Sequence, residues 1–181
     1  MNIRLATLKD APALLKIYAP YVEQTPITFE YEVPDVEEFT SRMESVLEKY
    51  PYLVAENNGE ILGYAYASAF KTRAAYSWSV ETSIYVKMGV EHSGIGTLLY
   101  EKLEACLRRQ NICNLCACIA YPNPPSEAFH ERFGYRLAAH FNRSGYKQGE
   151  WHDMIWMEKE LCAHSIPPLP FIPFPELNMR L

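Results

Sequence analysis

The segment Ser93-Gly94-Ile95-Gly96-Thr97 carries the clearest chemical signal in the chain. A β-branched run, Ser83-Ile84-Tyr85-Val86, precedes it, and an apolar-patterned stretch beginning at Leu98 follows. A strand, a short loop and glycines opening a helix bring backbone N–H groups and the positive helix end to one point. Glycine lets an anion approach the backbone closely there. The chemistry is capture of a phosphate group. Spacing excludes two common versions of it. A Walker loop needs Gly-Lys-Ser/Thr at the helix start, and Gly96 is followed by Thr97-Leu98. A dinucleotide fingerprint needs a third glycine where Leu99 stands.

The elements that must position this loop can be read from pattern. Ile3–Thr7 reads as a first strand, and Thr7-Leu8-Lys9-Asp10 as a capping box with Asp10 in the usual Glu place. Leu14, Ile17, Tyr18 and Tyr21 recur at helical spacing, which predicts a helix to about Val22. Residues 23–34 form a loop, and Asp35 caps a second helix that ends before Pro51. Strands Tyr52–Glu56 and Ile61–Ala69 flank Asn57-Asn58-Gly59-Glu60, a hairpin signature. After the connection Lys71–Ser77 come strand Ser79–Lys87 and helix Gly94–Arg109, with Ile95, Leu98, Leu99, Leu103 and Cys106 on its apolar face. Strand Ile112–Ala120, short helix Pro124–Phe133 and strand Tyr135–Phe141 follow. A turn at Gln148-Gly149 leads into Ile155–Glu160, and Trp151 and Trp156 read as core. The order β-α-α-β-β-β-α-β-α-β-β predicts an α/β fold, a mixed, mostly antiparallel sheet flanked by helices.

Length suits one domain, residues 1–161, and a tail, 162–181, with five prolines, extended on the surface or on a second subunit. The 17 basic and 22 acidic residues argue against nucleic acid and anionic membranes as partners. Apolar residues are plentiful, yet none of their runs reaches the length of a membrane span. Met1–Thr7 runs straight into patterned sequence, which predicts no secretory signal and a cytoplasmic protein. The five cysteines lack framework spacing, and Cys113, Cys116 and Cys118 alternate along a strand without a completing Cys-x-x-Cys. They read as reduced, packed thiols, with no metal site.

A loop of the form Gln/Arg-x-x-Gly-x-Gly/Ala between strand and helix resembles the pyrophosphate cradle of the GNAT acyl-CoA transferases. The element order is also that of the GNAT fold. Longer stretches narrow the resemblance. They are Tyr50-Pro51-Tyr52-Leu53-Val54-Ala55-Glu56, Lys71-Thr72-Arg73-Ala74-Ala75-Tyr76-Ser77-Trp78 and Glu81-Thr82-Ser83-Ile84-Tyr85-Val86. Pro122-Asn123-Pro124-Pro125-Ser126, His130-Glu131, Gly134-Tyr135 and Gly145-Tyr146-Lys147-Gln148-Gly149-Glu150-Trp151-His152-Asp153 complete them. Together they span nearly the whole domain and resemble the phosphinothricin N-acetyltransferase family. The resemblance implies acetyl-CoA as donor and the α-amino group of a small amino-acid analogue as acceptor. The chain is expected to work as a homodimer.

Amide formation from a thioester needs a neutral amine, and an α-amino group near pKa 8 is mostly protonated at neutral pH, so a base is required. Glu81, in the strand before the loop, is either half of a structural ion pair or that base. The resemblance favours the base, and burial would raise its pKa toward a useful value. His130 occupies the helix where many GNAT enzymes carry the tyrosine that protonates the departing thiolate. Its imidazole suits that role or a relay of the amine proton, with Tyr121 as the alternative acid. The resemblance places Tyr85, Val86, His92, Ser93, Gly94, Ile95, Gly96, Thr97, Asn123 and Ser126 around the cofactor. The Val86 N–H would polarise the thioester carbonyl. Asn123 and Ser126 either hydrogen-bond the pantetheine arm or cap their helix.

One departure stands out: Glu91 sits where a phosphate neighbour is expected. Either it turns to solvent, or Lys87 and His92 compensate its charge. For the acceptor, Arg73 offers a fork for an anionic group, Lys71 adds charge, and Phe29 and Tyr76 supply walls. Methionine sulfoximine or sulfone are alternative acceptors to phosphinothricin. A catalytically silent CoA-binding regulator is the alternative of another class.

Overall fold

The structure, a computed structural model, describes residues 1–90 and 93–177. Glu91 and His92 therefore lie outside the described residues, and so do the expectations placed on them. One seven-stranded sheet has the order β1-β2-β3-β4-β5-β7-β6. Its strands are β1 (Asn2–Leu5), β2 (Tyr52–Asn57), β3 (Glu60–Ala69), β4 (Ser79–Val86), β5 (Asn114–Tyr121), β6 (Arg136–Lys147) and β7 (Glu150–Glu160). The helices are α1 (Ala11–Gln24), α2 (Val36–Leu47), α3 (Ile95–Arg109) and α4 (Pro124–Arg132). Every pairing is antiparallel except β4 with β5.

Strand alternation builds two cores, one on each sheet face. Leu53, Ala65, Val80 and Leu115 pack with Leu99, Leu103 and Leu107 of α3. Tyr52, Val54 and Tyr64 pack with Leu14 and Val22 of α1 and with Phe39 and Met43 of α2. The start of α1 is organised as the capping-box reading requires. The Asp10 carboxylate accepts the Thr7 N–H at 2.7 Å and pairs with Arg4 at 2.8 Å.

Three sequence expectations need correction. Leu98 is 41% exposed and leaves the buried face of α3, which turns Leu99 inward instead. Trp151 is 62% exposed near the turn of the β6–β7 hairpin, where it pairs with Tyr146 of the edge strand β6. β6 runs on to Lys147 rather than stopping at Phe141, since bulges between Leu137 and Ala139 and between Phe141 and Gly145 absorb its irregular pattern.

The segment after β7 lies against its own domain. The Trp78 indole donates to the Leu169 carbonyl at 2.7 Å, and the Asn111 amide to that of Pro170 at 2.7 Å. Fully buried Gln110 donates to the Lys49 and Ile172 carbonyls at 2.7 and 2.9 Å. Ending the chain after Leu161 removes the Leu169, Pro170 and Ile172 carbonyls, leaves that of Lys49, and uncovers the side of the core that Phe171 packs against. The expected loss is on the order of 2–3 kcal/mol, or roughly 5–10 °C in Tm. Thermal denaturation measures it, and an unchanged Tm would show that the segment adds no stability.

Candidate active site

The site begins where the sheet comes apart. β4 and β5 pair only at Ser79–Asn114, Val80–Leu115 and Glu81–Cys116, although β4 continues to Val86 and β5 to Tyr121. On its other side β4 stays paired with β3 up to Gly63–Val86. Antiparallel alternation then fixes where the Val86 amide points. The Lys87 N–H donates to the Leu62 carbonyl at 2.8 Å, so Val86, one residue earlier, turns its own N–H and C=O away from β3. Its carbonyl accepts the Tyr21 hydroxyl of α1 at 2.5 Å. Its N–H faces the opening between β4 and β5.

A cavity of about 710 Å³ occupies this opening. Tyr85 and Val86 line one wall, Ser93, Gly94, Ile95, Gly96 and Thr97 the entrance to α3, and Asn123, Ser126 and Phe129 the α4 side. All the described residues expected around the cofactor thus come together at one cavity. Gly94 is the N-terminal flanking residue of α3 and has φ of 82°, a left-handed conformation that L side chains avoid. Gly96 does different work. A Cβ there would stand 3.1 Å from Phe129 Cε2 and 3.4 Å from Ile84 Cδ1, so this glycine lets α3 close on α4 and β4.

Of the two sequence readings of Asn123 and Ser126, the structure shows the helix cap. The Asn123 side chain accepts the Ser126 N–H at 3.3 Å, and the Glu127 carboxylate accepts the Asn123 N–H at 2.9 Å, which caps α4. Both residues also line the cavity. Sequence reasoning missed Arg132, whose guanidinium lies 5.8 Å from the Phe129 ring centroid and donates to Thr97 Oγ1 at 3.4 Å. A cation at the α3 entrance suits phosphate, but it comes from a helix far along the chain, with no local pattern to announce it. Lys87, one of the two groups named as able to offset Glu91, pairs with Glu60 among the described residues.

Glu81 is half-buried on the opposite sheet face from Val80, among Ser83, Tyr85 and Cys116 by strand register. Burial raises its carboxyl pKa, and the charge of Lys71 partly opposes the rise. Among the described residues its carboxylate makes no hydrogen bond, so the ion-pair reading reduces to a remote charge from Lys71. His130 is 3% exposed, not a surface residue. Its Nδ1 lies 2.8 Å from the Ser126 carbonyl and its Nε2 3.0 Å from the Tyr100 hydroxyl. Burial lowers its pKa against the opposing pull of the Ser126 carbonyl, which keeps the ring neutral. The alternative acid Tyr121 is 36% exposed and sits 4.8 Å, ring to ring, from His140, which bonds Asp153 at 2.8 Å.

The acceptor residues fall into two groups. Lys71 lies 4.9 Å from the Phe70 ring centroid, and Tyr76 meets the same ring at 6.0 Å. Arg73 is exposed beside them, at the start of the 3₁₀ turn Ala74–Tyr76. Phe29 lies elsewhere, against Gly145 and 6.3 Å from the His152 ring.

An α/β sheet split between parallel neighbours, with a glycine loop at the split, is the layout of an acyl-CoA-type cofactor site. Residues 3–156 match the family described as an acetyltransferase (GNAT) domain, and the chain belongs to that family. It is 34% identical to the phosphinothricin N-acetyltransferase of Streptomyces viridochromogenes, over 98% of this chain and 96% of that protein. It is 30% identical to the L-methionine sulfoximine/L-methionine sulfone acetyltransferase of Salmonella typhimurium, over 92% and 98%. A solved phosphinothricin acetyltransferase from Sinorhizobium meliloti in complex with AcCoA superposes with a TM-score of 0.88 at 31% identity, covering 97% of this chain and 96% of that one.

Proposed function

We propose that the protein transfers an acetyl group from acetyl-CoA to the α-amino group of a small amino-acid analogue, with phosphinothricin the leading acceptor. The observation that carries this is the junction of the split sheet, where the glycine loop and Val86, with its N–H turned away from β3, line one cavity; Glu81, its pKa raised by burial, lies on the same strand as Val86. The cofactor's pyrophosphate would rest on the N–H groups of residues 93–97, with Arg132 nearby. Its pantetheine arm would run between β4 and β5 past Asn123 and Ser126. The Val86 N–H would hold the thioester oxygen as negative charge develops there. Glu81 would take the proton that frees the amine, and His130 would handle the proton needed at sulfur. Lys71, Arg73 and Tyr76 would receive the acceptor.

Thiol release measured with phosphinothricin, methionine sulfoximine and methionine sulfone tests the reading. Turnover with at least one is expected. Acetyl-CoA binding without any turnover would favour the silent regulator. Arg73→Lys should raise the KM for phosphinothricin roughly tenfold, about 1.4 kcal/mol, since an ammonium cannot reproduce the paired guanidinium bonds. The acetyl-CoA KM should hold, and methionine sulfone, with a neutral γ-group, should suffer less. Equal losses for all acceptors would move Arg73 to the shared α-carboxylate. Among the described residues no helix is long and apolar enough to cross a membrane. We further propose a cytoplasmic homodimer. Leu137, Phe141, Tyr146 and Trp151 are 60%, 46%, 47% and 62% exposed on the edge hairpin, which supports a covered surface there. Sedimentation velocity reads the assembly state directly.

A further inference from the structure

Tyr100 lies on α3, outside every expectation drawn from sequence, yet it occupies the exchangeable side of the His130 ring. The Ser126 carbonyl can only accept, so the 2.8 Å contact puts hydrogen on Nδ1. Proton exchange at His130 is then confined to Nε2, and Nε2 faces the Tyr100 hydroxyl at 3.0 Å. The same hydroxyl lies 3.2 Å from Thr82 Oγ1 in β4. Thr82 in turn reaches the Cys116 carbonyl at 3.3 Å and the Tyr135 hydroxyl at 3.1 Å. Tyr100 is fully buried and Thr82 is 4% exposed, so this chain of groups is shielded from bulk water.

The arrangement has two complete hydrogen-bonding states. With His130 neutral, the Tyr100 O–H donates to Nε2. With His130 protonated, Nε2–H donates to the Tyr100 oxygen, and the phenolic hydrogen turns to Thr82 Oγ1. Neither state leaves Nε2 unpaired, which a buried ring would otherwise pay for heavily. A cavity of about 70 Å³, bordered by Thr82, Ser83, Tyr100, Ser126 and His130, adjoins the larger one along Ile84, Tyr85 and Asn123. It has room and polar partners for a water. The other titratable groups around the ring are Tyr135, 5.1 Å away ring to ring, the Glu104–Lys159 pair behind Tyr100, and Glu127, Glu131 and Arg132 on the same helix.

We propose that Tyr100 is the positioning residue through which His130 acts, its hydroxyl passing protons between Nε2 and the acetyl-transfer site. The inference rests on the reading of His130 given above. Attack forms the N–C bond and leaves one surplus proton on nitrogen; collapse breaks the C–S bond and leaves a thiolate. The nitrogen's proton passes through the small cavity to the Tyr100 oxygen as Tyr100 gives its own hydrogen to Nε2. The imidazolium returns a proton by the same path to sulfur. One proton moves from nitrogen to sulfur, and Tyr100 and His130 end as they began. Resting neutral, His130 must first accept before it can act as an acid.

Tyr100→Phe keeps the ring and removes only the hydroxyl. It should lower kcat roughly 10- to 100-fold, within the ordinary range for acid–base groups, with acetyl-CoA KM within about twofold. Combined with His130→Asn, it should slow the enzyme no further than His130→Asn alone. ¹⁵N NMR of the His130 ring, which needs no turnover, should show the Nδ1–H tautomer in both proteins, with the Nε2 resonance shifted in Tyr100→Phe by the loss of its hydrogen bond. Wild-type kcat in Tyr100→Phe while His130→Asn is slow, or effects that multiply, would overturn the proposal and leave the His130 reading standing. Wild-type kcat in His130→Asn would overturn both. If Tyr100→Phe does not fold, Thr82→Val, which removes the alternative acceptor, carries the same comparison.

Discussion

Glu81→Gln is expected to lower turnover by about 10²- to 10⁴-fold while leaving acetyl-CoA affinity nearly unchanged, the usual contribution of a general base. The amide keeps the size of the carboxylate and loses only its capacity to take a proton. The sign of the pH dependence follows from burial. Glu81 has its pKa raised, so it is protonated and inactive at pH values where an ordinary exposed glutamate would already be ionised. In the wild type kcat/KM should therefore fall as pH drops through a value above the usual glutamate range of about 4.3. That acid limb should vanish in Glu81→Gln. Lys71→Met gives an independent check. The Lys71 charge opposes the rise, so removing it should move the limb to still higher pH. Steady-state rates across pH with saturating acetyl-CoA measure both. Unchanged turnover at neutral pH would shift the base role to the His130–Tyr100 pair or to water.

The second large effect concerns the glycine loop, where Gly94→Val and Gly96→Val should both abolish acetyl-CoA binding, for different reasons. In the wild type, acetyl-CoA at about 100 times its Kd adds about 2.7 kcal/mol of stability, which thermal shift reads easily. Gly94 holds φ at 82°, which a β-branched residue resists by at least 1–2 kcal/mol, so the loop's N–H groups lose their convergence. Gly96→Val drives two methyls into Phe129 and Ile84, an overpacking worth roughly 1–3 kcal/mol, and pushes Phe129 into the cavity it lines. Adding Phe129→Leu should therefore restore part of the stability lost in Gly96→Val and none of that lost in Gly94→Val. If Gly96→Val binds acetyl-CoA as the wild type does, the assignment of this loop is wrong.

The element order was legible because alternation and helical spacing are local properties. Ile3–Thr7, the Asn57-Asn58-Gly59-Glu60 hairpin and the Gln148-Gly149 turn announce themselves within a few residues. The glycine loop that opens α3 was legible for the same reason. What stayed hidden were facts about neighbours distant in the chain. Leu98 fits the apolar spacing of α3, yet only packing decides that Leu99 takes the interior. Trp151 looks like core until the sheet order puts it near the turn of the edge hairpin. Gly96 reads as an anion's approach path, and the structure shows it as a contact with Phe129 of another helix.

His130 shows the division most clearly. Its type and its helix could be read from sequence, but whether its ring is wet or dry, and which nitrogen is free, could not. Burial sets its neutrality, the Ser126 carbonyl sets its tautomer, and Tyr100 and Thr82, from α3 and β4, set its partners. Sequence by itself determined the parts and their order, because backbone preference and amphipathic period act over a few residues. Only the tertiary structure decided their chemistry, because desolvation and hydrogen-bond pairing depend on which distant groups meet where β4 and β5 part.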